Sequence, residues 1–221
     1  VNFSYSKNGE YVLKDISFHA NPGDTIGIIG STGSGKSTLV KLISRLYDPD
    51  TGMIRIGGKD IKEYPLRELR SLIGFVPQKA TLFSGTIEEN LRYGNENADI
   101  RQMENAARSA VAYEFIEKLE QEFEHELMQG ATNLSGGQKQ RLSMARAFIR
   151  QPKILVFDDS TSAVDALSEA AIQKTLKEQY GEATVFIISS KVSSIIDADQ
   201  ILVIDDGRIE ATGSHDELLQ T

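Results

Sequence analysis

Apolar residues follow two rhythms along this chain. Over residues 1–20 they alternate with polar ones, and Val12-Leu13 and Ile16-Ser17-Phe18 read as strand-like pieces. Asn21-Pro22-Gly23-Asp24 reads as a turn. A short apolar strand follows at Thr25–Ile29, and then a run of glycines. From Lys36 to Tyr47 the rhythm becomes helical, with Leu39, Leu42, Ile43 and Leu46 on one face, and it stops before Asp48-Pro49. Met53–Ile56 and Ile73–Val76 read as strands. The stretch 99–124 has a helical pattern with one polar side, and Gly136–Arg150 is a helix ended by Pro152. Beyond it come a strand at 154–158, a helix at Ala166–Tyr180, strands at Thr184–Ser189 and Gln200–Asp205, and a last helix from Ser214.

Strands alternating with helices predict an α/β fold with a mostly parallel sheet and right-handed crossovers. The strand-rich first 60 residues predict an antiparallel β subdomain, and the helical block reads as an insertion between core strands. The expected organisation is a single domain over 1–221. Its core and β subdomain take in about 1–84 and 152–221, and its helical subdomain about 85–151.

Composition narrows the chemistry. The chain has no cysteine, which excludes disulfides and thiolate metal sites. His19, His125 and His215 are scattered, so a histidine-built metal centre is not expected. A net charge of −8 argues against broad nucleic-acid binding, which needs a basic face. No run of 18 apolar residues is present to span a bilayer. The chain opens on VNFSY, without an initiator methionine, and reads as part of something longer; the missing span then describes this stretch alone.

The strongest local signal is GSTGSGKST, residues 30–38. It matches G-x-x-x-x-G-K-[ST] and lies between a strand and a helix, as its mechanism requires. Gly30, Ser31, Thr32, Gly33, Ser34 and Gly35 form a loop whose backbone N–H groups can converge on phosphate oxygens. The helix start adds a favourable dipole. Lys36 can reach the β- and γ-phosphates, and Ser37 can ligate Mg²⁺, with Thr38 beside it. ILVFD at 154–158 is the expected partner, an apolar strand that delivers Asp158 to the Mg²⁺ side. LSGGQKQR at 134–141 places Ser135, Gly136 and Gly137 at a helix start carrying Gln138. Exposed N–H groups there make a second anion site, or Ser135 is a simple N-cap. A Rossmann dinucleotide site is excluded, because no G-x-G-x-x-G follows the first strand.

Together, GSTGSGKST, LSGGQKQR, ILVFDDST and SAVD resemble the nucleotide-binding domain of an ABC transporter, over essentially the whole chain. The resemblance implies the ABC ATPase fold, with ATP and Mg²⁺ as ligands. It makes Tyr5 the adenine-stacking aromatic with Val12 beside it, and Gln78 the glutamine that touches Mg²⁺ or the attacking water. Leu134 through Gln138 become a signature acting on a partner's nucleotide, and Ser162, Ala163 and Asp165 part of the loop that crosses the dimer interface. PQKATLFSGTIEENLRYG at 77–94 is similar to exporters, where this region meets a coupling helix of the transmembrane domain. The resemblance therefore implies a place on the cytoplasmic face of the cell membrane, within an integral membrane transporter.

Three positions depart from the family pattern. Asp159 stands where a glutamate polarises the attacking water, one methylene or about 1.5 Å shorter. Ser190 stands where a histidine contacts the γ-phosphate, and its hydroxyl cannot become cationic. Gln129 replaces a glutamate just before the signature. Asp159 and Ser190 together resemble the degenerate-site half of a heterodimeric multidrug exporter. Such a half binds MgATP in its own site, hydrolyses it weakly, and lends an intact signature to a partner's competent site. Two alternatives stay open: an ordinary homodimeric exporter in which Asp159 suffices, and a soluble ABC ATPase acting on ribosomes or nucleic acid. The second fits poorly with the acidic charge.

Overall fold

The computed structural model describes residues 1–6 and 9–220. The chain divides into two units, Val1–Ile73 with Glu182–Thr221, and Gly74–Gly181. In chain order, β1 (Thr25–Gly30), α1 (Lys36–Ile43), β2 (Arg55–Ile56), β3 (Lys59–Asp60) and α2 (Leu66–Ser71) lead to β4 (Ile73–Val76). β5 (Gly85–Thr86), α3 (Ile87–Arg92), α4 (Ile100–Ser109), α5 (Tyr113–Ile116), β6 (Glu126–Leu127), α6 (Gly136–Phe148), β7 (Ile154–Asp158) and α7 (Ala166–Gln179) follow. β8 (Thr184–Ile188), β9 (Gln200–Asp205), β10 (Arg208–Gly213) and α8 (His215–Leu218) complete the chain.

In the first unit four strands lie in the order β10-β9-β1-β8. β1 is parallel to both neighbours, Ile26 facing Phe186 on one side and Gln200 on the other. β10 returns antiparallel along β9. Ile26 and Ile28 are fully buried, which is why β1 reads as a continuous apolar run rather than an alternation. Burial of each contributes about 1.5–3 kcal/mol, and it fixes the strand from whose end the phosphate loop departs.

In the second unit β7 neighbours β4, and every residue of β7 is buried. α3 and α4 pack against α6, whose Leu142, Met144, Ala145 and Phe148 are buried. The Phe148 ring lies 6.2 Å from Phe157 and 4.9 Å from Tyr180, which ties α6, β7 and the end of α7 together. Among the described residues no helix is long and apolar enough to cross a membrane.

Several expected elements are shorter than their patterns. α1 ends at Ile43, not Tyr47: the Ser44 hydroxyl donates to the Val40 carbonyl, and Arg45 takes a left-handed φ of 48°. That turn lets the Arg45 guanidinium donate to the carbonyls of Ile61 (2.9 Å) and Tyr64 (3.1 Å), a tertiary reward the helical pattern does not encode. The expected helical stretch 99–124 breaks at Val111, with φ 55°, into α4 and α5. Among the described residues, the N-terminal alternation yields the isolated antiparallel bridges Phe3–Leu13 and Asn2–Thr51, with β2 and β3 as a two-residue ladder. β10, α2 and α3 were not marked by the apolar rhythm.

Candidate functional site

β1 ends at Gly30 and the loop 31–35 carries the chain to α1. A Cβ at Gly30 would collide with the Ile204 carbonyl oxygen of β9, so only glycine lets the loop leave the sheet here. Gly35 is the α1 N-cap residue with φ 106°, a left-handed backbone that suits glycine, and no side chain caps the helix start. A helix start without a side-chain cap suits an anionic ligand. Ser34 is buried and its hydroxyl has no hydrogen-bond partner. The Lys36 ammonium folds back on its own loop, donating to the carbonyls of Gly30 (2.8 Å) and Ser31 (2.6 Å). An uncapped helix start, an orphaned hydroxyl and a cation within reach suit an oxyanion cluster such as a polyphosphate.

Tyr5 is about half exposed and packs edge-on against Phe3 (5.0 Å) and Tyr47 (5.2 Å). Its hydroxyl shares a 3.0 Å hydrogen bond with that of Thr38 in α1. The expected base-stacking aromatic is thus tied to the phosphate-loop helix. Tyr47, which the sequence offered only as a helix end, is one of its two supports. Val12 lies close by, its carbonyl oxygen 3.0 Å from where a Gly35 Cβ would be. Ser190 is exposed just past the end of β8, after the buried Ser189.

The second unit holds the acid pair and the signature. Asp158 closes β7 and is buried. Asp159 is half-buried with a left-handed φ of 47°, and its Oδ2 accepts the Gln78 Nε2 at 3.1 Å. The structure therefore brings Gln78 and Asp159 together directly. Gln140 of α6 donates to the Pro77 carbonyl (2.9 Å) and anchors the residue before Gln78; motif reading passed over Gln140. The Ser162 hydroxyl donates to the Asp159 carbonyl at 3.0 Å, and Ser160 is buried with its hydroxyl unpartnered.

Ser135 is the N-cap of α6 in a reciprocal capping box: its hydroxyl accepts the Gln138 N–H, and the Gln138 side chain accepts the Ser135 N–H. The simple-cap reading of Ser135 thus holds, and it leaves the N–H groups of Gly136 and Gly137 outside the box. Leu134, just before the cap, is buried. A Cβ at Gly136 would meet nothing, whereas one at Gly137 would stand 3.1 Å from the Ala163 carbonyl. The helix start thus faces the 162–165 loop at backbone distance. Asp165 caps α7, accepting the Ser168 N–H (3.0 Å) and hydroxyl (2.7 Å), and Arg141 of α6 donates to the same hydroxyl. Those bonds from Ser168, the backbone one first, hold the Asp165 pKa below the usual carboxylate value.

Among the described residues no group of three or more histidine and carboxylate side chains is placed to hold a metal ion. A serine hydroxyl such as that of Ser37, next to the uncapped start of α1, is the kind of donor that suits Mg²⁺, which keeps waters and phosphate oxygens in its shell.

The ABC transporter family model matches residues 13–162, more than half of the chain. The chain is 47% identical over 219 residues to the uncharacterised ABC transporter ATP-binding protein YfiB of Bacillus subtilis, covering 99% of this chain and 38% of that protein. It is 42% identical over 220 residues to the ATP-dependent lipid A-core flippase of Alkalilimnicola ehrlichii, covering 99% of this chain and 37% of that one. A bacterial Atm1-family ABC exporter, solved with ATP bound, superposes on the whole chain with a TM-score of 0.95 at 38% identity, over 39% of its own length. The chain thus spans under two-fifths of the relatives it matches. With an uncapped phosphate loop, a buried strand-end aspartate and an LSGGQ helix start in one sequence, this chain belongs to the ABC transporter family as a nucleotide-binding domain with the ABC ATPase fold.

Proposed function

We propose that the chain is the ATP-binding part of an exporter, that it binds MgATP at its own phosphate loop with weak hydrolysis, and that it supplies its signature to a second nucleotide-binding domain. The observation that carries this reading is the contrast between intact binding motifs and two altered hydrolytic positions, Asp159 and Ser190. Exporter function is supported by the exporter and flippase relatives. The transmembrane partner, a coupling-helix contact around 77–94, the cytoplasmic face of the membrane and the helical subdomain over about 85–151 belong to the same proposal.

In this reading Tyr5 and Val12 receive the base, residues 30–38 the phosphates, and Ser37, Gln78 and Asp158 the Mg²⁺. The metal supplies charge neutralisation on the phosphate oxygens when bound. Lys36 exchanges two loop carbonyls for phosphate oxygens. Asp159 would take the proton of the attacking water, but its carboxylate is shorter than glutamate and bonded to the Gln78 amide. A base must come within about 2.6–3.2 Å of its proton, or act through one water, so a deficit of about 1.5 Å is large on that scale. Ser162, Ala163 and Asp165, with Ser135 to Gln138 following the buried Leu134, form the face offered to the second domain.

The test is steady-state hydrolysis by the chain alone, alongside MgATP binding. Binding survives while hydrolysis stays near background. Robust hydrolysis that disappears in Lys36→Ala overturns the weak-site reading in favour of an ordinary homodimeric ATPase. In the assembled pair, Ser135→Arg lowers hydrolysis at the partner's site and leaves binding at this chain's own loop intact.

A further inference from the structure

The β9–β10 hairpin belongs to no nucleotide motif, yet it touches the phosphate loop at three places. The Ser31 hydroxyl donates to Asp205 Oδ1 at 3.0 Å. The Gly207 N–H donates to the Ser34 carbonyl at 3.1 Å. Ile204 lies directly beside Gly30 across the β1–β9 ladder. Asp206 and Gly207, with φ 41° and 77°, form the two-residue turn between the paired residues Asp205 and Arg208. Two successive left-handed residues are the geometry such tight hairpins require.

The other side of the turn is held just as firmly. The Gly207 carbonyl accepts the Lys14 N–H at 2.7 Å, the Lys14 ammonium pairs with Asp206 at 2.8 Å, and Arg208 pairs with Asp15 at 3.0 Å. A Cβ on Gly207 would strike the Val12 carbonyl. The turn thus stands between Val12, on the base side, and Ser34, on the phosphate side. The Ser31 carbonyl, with that of Gly30, accepts the Lys36 ammonium.

We infer that Asp205 is a positioning residue for the phosphate loop: by accepting the Ser31 hydroxyl it fixes the first peptide of the loop, and with it the resting place of Lys36. This rests on the reading of residues 30–38 as a nucleotide site. The acid acts through Ser31 and touches no phosphate. An anionic side chain beside a polyphosphate site is electrostatically unfavourable, and its presence here is accounted for by the hydroxyl it holds.

The experiment is equilibrium binding of MgATP and of adenosine to the intact polypeptide that carries the chain. The variants are Ser31→Ala, Asp205→Ala, their double variant, Asp205→Asn and Lys36→Ala. Ser31→Ala and Asp205→Ala each weaken MgATP binding about fivefold, and the double variant is no weaker than either single one, because both remove one bond. Asp205→Asn, which keeps an acceptor oxygen and loses the charge, restores wild-type affinity. Adenosine binding does not move in any of the Ser31 and Asp205 variants. Additive losses in the double variant, equal losses for adenosine, or an unaltered Ser31→Ala overturn the assignment. A Lys36→Ala variant that still binds MgATP normally overturns instead the nucleotide-site reading beneath it.

Discussion

The phosphate loop and the acid pair serve the same proposed reaction but are specified in different ways. At residues 30–38 the chemistry lies in the backbone: glycine at Gly30 clears the Ile204 carbonyl, and left-handed Gly35 opens the α1 start. At residues 158–159 it lies in side-chain length, and the backbone offers no substitute. A backbone cradle is either present or lost. A side-chain base can be shortened by one methylene and leave strand, turn and Gln78 contact in place. In the proposed reading, binding and hydrolysis therefore separate within one fold, and the departures at Asp159 and Ser190 fall on the hydrolytic side.

The largest expected effect tests that separation. Asp159→Glu combined with Ser190→His raises hydrolysis in the assembled pair by about 10²- to 10⁴-fold, the usual worth of a positioned base, with little change in MgATP affinity. Unchanged turnover in a steady-state assay would show that these two positions are not the limiting defect. Next in size is Lys36→Ala, which weakens MgATP binding by about 100-fold through loss of its charge-assisted contacts while the Gln78–Asp159 contact persists. Calorimetric titration measures it. A mild loss would mean that the loop binds phosphate by backbone alone. Smaller again is Tyr5→Ala, which costs about tenfold in MgATP affinity for the lost aromatic face, whereas Tyr5→Phe keeps the face and cuts only the Thr38 bond. Equal losses in the two variants would place the value of Tyr5 in its hydroxyl.

The same contrast decides what was legible in the sequence. β4, β7 and β9 lie where their apolar runs place them, because buried strands read as unbroken stretches. The uncapped α1 start after left-handed Gly35 and the capped α6 start at Ser135 lie where the glycine spacing puts them, because spacing alone specifies a backbone geometry. The Gln78–Asp159 bond was not, since it needs the left-handed φ at Asp159 that no local pattern announces. The bend at Arg45 was hidden for a similar reason, its reward lying 16 and 19 residues away. β10 did carry a signal. Asp206-Gly207 after the apolar run 201–204 and before the alternating RIEATG has the composition of a hairpin turn, a signal masked by the strand–helix alternation around it.

The smallest expected effect uses pH and salt to separate the two units. Asp206 is held below the usual carboxylate pKa first by its hydrogen bond to Lys14 and then by that ammonium's charge; Asp15 is held down by Arg208 first. Asp165 is lowered chiefly by the Ser168 backbone N–H, a local cap. In all three the folded pKa lies below the unfolded one. Each therefore adds stability that is fully present above the unfolded value near 3.8 and is lost as pH falls through the lower folded one. At low salt, acid should loosen both the β9–β10 turn and the start of α7. At about 1 M salt the Debye length shrinks to about 3 Å, so the exposed Lys14–Asp206 and Arg208–Asp15 pairs lose most of their pH dependence while the Asp165 cap keeps it. Amide exchange at Gly207 and at Ser168, followed from pH 5 downward at both salts, reads the difference. Equal salt sensitivity at the two amides would mean that the cap is held by charge rather than by its hydrogen bonds. The contrast between a backbone-specified and a charge-specified contact would then fail at that position.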